Sequence, residues 1–246
     1  MLNTPTLDQL HALKLAAMAA AWTEQAKQPD LTALAFDERL GLLVEAEWHA
    51  RENKRFTRAL AEARLKIPQA CIEATDYPAK RELDKSLVRQ LATCRWIEEH
   101  QNVLVIGATG TGKSFLACAL AHQACRKGFR ALYHRSARLF HELALARADG
   151  SYPRLLARLA RVDVLLIDDF GIETLTPQDR RDLLEVLDDR YAARSTIVTS
   201  QMPSGQWHEY IGDPTLADAI CDRILHNAHK IVLKGPSRRK EAKLEN

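Results

Sequence analysis

Asn102-Val-Leu-Val-Ile-Gly107-Ala-Thr-Gly-Thr-Gly112-Lys-Ser114-Phe-Leu-Ala-Cys-Ala-Leu-Ala121 is the stretch on which the fold turns. It opens on a short, β-branched apolar run, crosses a glycine-rich loop and leaves through an apolar, alanine-rich run of helical character. Between the two lies GxxxxGK[ST], and strand before with helix after is the context that separates a phosphate-binding loop from a chance glycine turn. Glycines let the backbone N–H groups wrap phosphate oxygens, and the following helix turns its positive end toward them. Gly107, Ala108, Thr109, Gly110, Thr111, Gly112, Lys113 and Ser114 are therefore the expected nucleoside triphosphate cradle. Lys113 supplies a point charge for the β- and γ-phosphates, and the Ser114 hydroxyl supplies a ligand for Mg2+.

Downstream, Val162-Asp-Val-Leu-Leu-Ile-Asp168-Asp169 reads as a strand buried on both faces that ends in two acids. Open α/β sheets place ligands at that edge. Asp168 is assigned to the metal and Asp169 to activation of an attacking water. Ser195-Thr-Ile-Val-Thr-Ser200-Gln201 is a further strand with polar groups at the same edge. Gln201 is the first choice to contact the γ-phosphate or the water and Ser200 the second, and both could instead be plain turn residues. With Ala131-Leu-Tyr133 added, short apolar runs alternate with helical stretches, which predicts a parallel sheet flanked by helices, an α/β fold.

The N-terminal third reads differently. Thr6-Leu-Asp-Gln9 has the form of a capping box, and Leu7, Leu10 and Leu13 follow at helical spacing until Pro29. A second long helix is expected from Asp37 to about Leu65, with Leu40, Leu43, Val44 and Trp48 on one stripe and Ile67-Pro68 as its stop. Residues 1–66 thus form an expected small all-helical docking domain, and 67–246 the nucleotide-binding domain. Basic residues balance acids in 1–66, whereas Arg126 to Arg161 carries a local excess of +7 and leaves −4 for the rest of the chain. Concentrated arginine can be an electrostatic footprint for nucleic acid or merely a solvated face. Its position between the phosphate-loop helix and the acidic strand favours the first. Arg154, Arg158 and Arg161 are the expected phosphate contacts on duplex DNA.

The composition, 46% hydrophobic and 27% charged, is that of a globular protein. No apolar run exceeds the eight residues Leu15 to Trp22, too short for a membrane span. Five cysteines without a CxxC pair argue against a disulfide framework and for a reduced, cytoplasmic setting. His226 and His229 lack the companions a zinc site requires.

GATGTGKS, VLLIDDFG, the stretch TIVTSQMPSGQWHEYIGDPTLADAICDRILHNAHKIVLKG and SRRK together resemble IstB-type insertion-sequence ATP-binding proteins. These are AAA+ ATPases, related to bacterial helicase loaders, that assist a transposase. The resemblance implies ATP with Mg2+ as cofactors, hydrolysis of ATP, a homo-oligomer assembled on double-stranded DNA, and the cognate transposase as partner. It also implies an arginine reaching a neighbouring subunit's γ-phosphate, for which Arg223 is the candidate. Arg194, Arg238 and Arg239 compete with it, and an intrahelical ion pair with Asp218 or Asp222 is the alternative role. Asp169 stands where AAA+ proteins at large carry glutamate, and about 45 residues after Gln201 leave no room for a full C-terminal lid. A replicative helicase loader with the same core is the runner-up. A metabolic kinase would leave Asp169, Arg223 and the basic stretch without roles, and a dead-site interaction protein would not need Lys113, Ser114 and Asp168.

Overall fold

A computed structural model describes residues 4–28, 30–31 and 34–237. The chain forms two compact units, 1–58 and 59–246, and the division falls at Arg58, ahead of the boundary at 66 expected from sequence.

The first unit holds α1 (Thr4–Ala12), α2 (Ala16–Gln25) and most of α3 (Phe36–Ala63). The single helix expected up to Pro29 is broken: Lys14 adopts a left-handed backbone, φ 58°, between α1 and α2. No glycine or proline marks this break, because tertiary contacts make it. Arg51 on α3 donates to the Lys14 carbonyl at 3.2 Å, and Glu47 accepts from the N–H groups of Ala17 and Met18 at 3.0 and 3.1 Å. Those N–H groups open α2 and lack intrahelical partners, so a carboxylate there satisfies them and meets the helix dipole. The Arg51 guanidinium and the Met18 N–H hold the Glu47 carboxyl below its ordinary pKa. Thr6 lies inside α1 rather than capping it. Of the apolar stripe on α3, Leu43 is buried while Leu40, Val44 and Trp48 are exposed.

The second unit is built on a sheet in the order β2-β3-β4-β1-β5, every pair parallel. The strands are β1 (Asn102–Gly107), β2 (Ala131–Arg135), β3 (Val164–Phe170), β4 (Ser195–Ser200) and β5 (Ala228–Leu233). All six residues of β1 and of β4 are buried, as expected of strands covered on both faces. β5 was not among the strands read from sequence. It lies at an edge and alternates exposed and buried residues, so its apolar signal is half as dense.

Helices α4 (Lys85–Ala92) and α5 (Arg95–Glu98) lead into β1, and α6 (Lys113–Arg126) follows the glycine loop. On α6, Ala117, Cys118, Ala119, Ala121 and Ala124 are all buried, small side chains that let the helix axis approach the sheet closely. After β2 come α7 (Ser136–Asp149) and α8 (Tyr152–Arg161). Gly150 ends α7 at φ 78°, and Pro153 in the first turn of α8 starts the next helix. α9 (Pro177–Asp188) opens on a Thr176–Asp179 capping box. α10 (Trp207–Ile211) and α11 (Pro214–Leu225) pack with it against the core around Phe170 and Trp207, whose rings meet edge to face at 4.9 Å. Among the described residues no helix follows β5, so no C-terminal helical lid is present there.

Candidate nucleotide-binding site

Strand order reverses direction at β1 and β4, and the crevice outside the carboxyl ends of such strands is where open α/β sheets hold ligands. A cavity of about 830 Å3 opens there. It is lined by Thr109 to Ser114, Lys66, Arg135, Asp169 and Gln201, with Asp76, Pro78, Lys80, Arg81 and the Gly235-Pro236 turn among its other walls. That volume suits a nucleotide.

The loop closes as the glycines require. Gly110 and Gly112 sit at φ +85° and +93°, a region that side chains disfavour, and a Cβ on Gly107 would collide with the Leu233 carbonyl on β5. Thr111 Oγ1 and Lys113 Nζ both donate to the Ala108 carbonyl at 2.9 Å, so the lysine arches across its own loop. The hydroxyl of Ser114 donates to Asp168, 2.8 and 2.9 Å from its two oxygens.

Asp168 is fully buried at the end of β3, where four side chains converge on it. Besides Ser114, it accepts from Thr199 Oγ1 at 2.6 Å, Tyr133 Oη at 3.0 Å and Lys66 Nζ at 3.1 Å. Burial by itself would raise the carboxyl's pKa. The Thr199 and Ser114 hydrogen bonds and the Lys66 charge outweigh it, so the group is held below the usual carboxylate range. The reverse applies to Tyr133, whose phenol is pushed up by burial and by the Asp168 charge and so remains a donor.

Asp169 follows in a left-handed conformation, φ 63°, at a shift of register between β3 and β4. The bulge turns its side chain away from the sheet and toward the cavity. Its N–H donates to Thr199 Oγ1 at 3.0 Å, and its carboxylate lies 3.4 Å from Arg135 Nε and 3.7 Å from Lys66 Nζ. Gln201 lines the cavity, accepting from Thr109 Oγ1 at 2.6 Å. Ser200 does not reach it: fully buried, it donates to the Phe170 carbonyl and accepts from the Met202 N–H. Lys66, Tyr133 and Thr199 were not singled out by sequence reasoning. A hydroxyl two residues before Gln201 on the same strand was the signal for Thr199; nothing local pointed to the other two.

Arg223 lies elsewhere. Its carbonyl accepts from Asn102 Nδ2 at 2.9 Å, at the first residue of β1, whereas the phosphate loop leaves from the last. The five steps from Asn102 to Gly107, at about 3.3 Å each, separate the two edges by roughly 17 Å. The guanidinium pairs with Asp188 rather than with Asp218 or Asp222, donates to the Ala219 carbonyl and stands 5.9 Å from the Tyr191 ring centre. Together with Arg190, Arg194, His100 and His226 it lines a second cavity of about 320 Å3. Arg238 and Arg239 fall outside the described residues.

Much of the basic stretch is neutralised within the fold. Arg147 stacks on Tyr152 at 3.7 Å and forks onto Asp182, and Arg126, Arg130 and Arg135 face Glu73, Asp163 and Asp169. Arg154, Arg158 and Arg161 instead share the exposed face of α8, opposite buried Tyr152, Leu156 and Leu159. Glu142 is 4.0 Å from Arg158. Among the described residues no helix is long and apolar enough to cross a membrane.

A parallel sheet in this strand order, with a glycine-rich loop after β1 and an acid near the end of β3, defines a P-loop domain of the AAA+ class. A solved structure of the DnaC helicase loader has the same fold, with a TM-score of 0.53 at 22% identity over 67% of this chain and 97% of that one. The sequence model of the IstB-like ATP-binding proteins matches residues 8–246, and the chain belongs to that family. Relatives include the insertion sequence ATP-binding protein y4pL of Sinorhizobium fredii, 49% identical over 98% of both chains. The ATP-binding protein of insertion sequence IS1162 from Pseudomonas fluorescens is 50% identical over 83% of this chain and 88% of its own.

Proposed function

We propose that this chain is a Mg2+-dependent ATPase of an insertion sequence, which assembles as a homo-oligomer on double-stranded DNA and recruits or stimulates its transposase. The observation that carries the reading is the meeting of Lys113, Ser114, Asp168, Asp169 and Gln201 at one sheet edge while Arg223 stands at the other. Residues 107–114 hold the phosphates, Ser114 and Asp168 hold the metal, and Thr199 and Tyr133 fix the carboxylate that does so. The donor set fits: a hydroxyl and an ionised carboxylate within hydrogen-bond reach suit a hard cation that binds oxygen ligands. Bound there, Mg2+ would neutralise charge on the β- and γ-phosphates. Asp169 accepts a proton from the attacking water, and Gln201 positions that water or the γ-phosphate.

Separation by a strand's length counts against a contact between Arg223 and the nucleotide of its own subunit and favours a role in trans. There a guanidinium can contribute about 10³–10⁵ in rate. The helices of 1–66 serve as a docking domain for the partner, and Arg154, Arg158 and Arg161 contact DNA phosphates. The insertion-sequence relatives favour a transposase over a replicative helicase as that partner.

Mixing subunits tests the scheme. Arg223→Ala subunits should bind ATP yet hydrolyse it poorly, and Lys113→Ala subunits should bind none while still offering Arg223. At intermediate ratios some interfaces pair a loaded site with an intact arginine, so ATPase activity should partly return and vanish at both ends. Absence of recovery in mixtures that still co-assemble refutes the trans role.

A further inference from the structure

We infer that Lys66 is an internal counter-ion of the candidate metal site, competing with a divalent cation for Asp168 and Asp169; this rests on the reading of Ser114 and Asp168 as the metal-holding pair. Oδ1 of Asp168 accepts from Thr199 and Ser114, and Oδ2 from Tyr133, Ser114 and Lys66. A carboxylate offers about four lone-pair sites, so this one is saturated and a cation can enter only by displacing a donor.

Lys66 is the donor that must leave. It is the single charged group among the four side chains on Asp168, and at 3.1 and 3.7 Å from Asp168 and Asp169 it bridges both carboxylates. An ammonium and a divalent cation repel one another across the same pair of oxygens. Thr199 and Tyr133 are fixed on strands β4 and β2, whereas Lys66 follows α3 on the cavity wall with a side chain 37% exposed. Its flexible four-carbon stem can carry the charge out to solvent. Ser114 can stay as a ligand, its oxygen lone pair on the cation, but its proton then turns off the carboxylate and frees a site. It is therefore charge repulsion, and not a lack of lone pairs, that drives Lys66 out.

The consequence is an order of loading. A cation alone must expel a charge and finds nothing to receive it, so it binds weakly. A cation arriving with a triphosphate brings oxygens that can accept the displaced ammonium. Lys66 thereby ties metal affinity to nucleotide occupancy.

The test titrates full-length protein with Mn2+ in the absence of nucleotide, reading free Mn2+ by electron paramagnetic resonance. An opposite charge at this range alters a carboxylate's affinity for a competing proton by about 10- to 1000-fold. For a half-exposed lysine the low end applies, so Lys66→Met should bind Mn2+ about tenfold tighter than wild type, and Lys66→Arg should not. In EDTA Lys66→Met should melt below wild type, and Mn2+ should restore it. If Lys66→Met does not fold, Lys66→Gln, which keeps a donor without the charge, takes its place. Unchanged Mn2+ affinity in the uncharged variant, with normal Mn2+ uptake by both proteins when ATP is added, overturns the counter-ion role and leaves the metal site standing. No Mn2+ uptake by either protein even with ATP overturns the metal site and this inference together.

Discussion

Thr199→Val is the substitution that probes the site's architecture most directly, because it removes one hydroxyl and keeps the shape of a buried strand residue. That hydroxyl donates to Asp168 at 2.6 Å and accepts from the Asp169 N–H at 3.0 Å. A hydrogen bond to a charged group contributes about 1.5–3 kcal/mol, and a donor left unpaired in a buried site adds to the loss. A destabilisation of about 2–3 kcal/mol at neutral pH is expected, which for a domain of this size lowers the melting temperature by roughly 4–12 °C. The loss depends on pH in a fixed direction. Asp168 has a depressed folded-state pKa, so its stabilisation is present above the unfolded value, about 3.9, and disappears as pH falls through the folded one. Thr199→Val raises that folded pKa. The gap between variant and wild type should therefore be full at pH 7 and shrink as acid protonates Asp168 in both. Thermal melts in EDTA from pH 7 downward measure it. A gap of under 2 °C at pH 7, or one that widens in acid, would refute the assignment of Thr199 as support for an ionised Asp168.

Asp169→Asn should leave ATP binding intact and slow hydrolysis by about 10²–10⁴, the range lost when a positioned base is removed; loss of ATP affinity in a binding titration would instead give Asp169 a structural role. Replacing Arg154, Arg158 and Arg161 together by glutamine should weaken duplex binding about equally across sequences. Each lost phosphate contact should lower the salt slope of binding by about 0.9, and an unchanged slope at normal affinity would return that face of α8 to ordinary surface.

The phosphate loop was legible because everything it needs is local: glycines where φ is positive, a lysine and a hydroxyl opening a helix, and a strand in front. Asp168 and Asp169 were legible for a similar reason, an apolar run ending in acids at the edge where a parallel sheet binds ligands. The basic stretch from Arg126 to Arg161 was legible as a charge excess, but that Arg154, Arg158 and Arg161 share one face of a helix emerged only with α8. Local pattern, in short segments, carries its own geometry.

What lay beyond the sequence was the company these residues keep. Thr199, Tyr133 and Lys66 come to Asp168 across 31, 35 and 102 residues of chain, and no periodicity reports which neighbour a parallel strand will find. The choice between Ser200 and Gln201 needed the end of β4, where one side chain turns into the core and the next leaves the sheet. The break at Lys14 was made by Arg51 and Glu47 on another helix, and β5 showed only half the apolar density of a buried strand. For Arg223 the sequence by itself supplied a charge on a helix and a choice of acids nearby. Only the sheet set that helix at the opposite end of β1 from Lys113 and beside Asp188, which counts against a contact with its own subunit's nucleotide: the length of a strand is fixed by its backbone, and no side chain spans it.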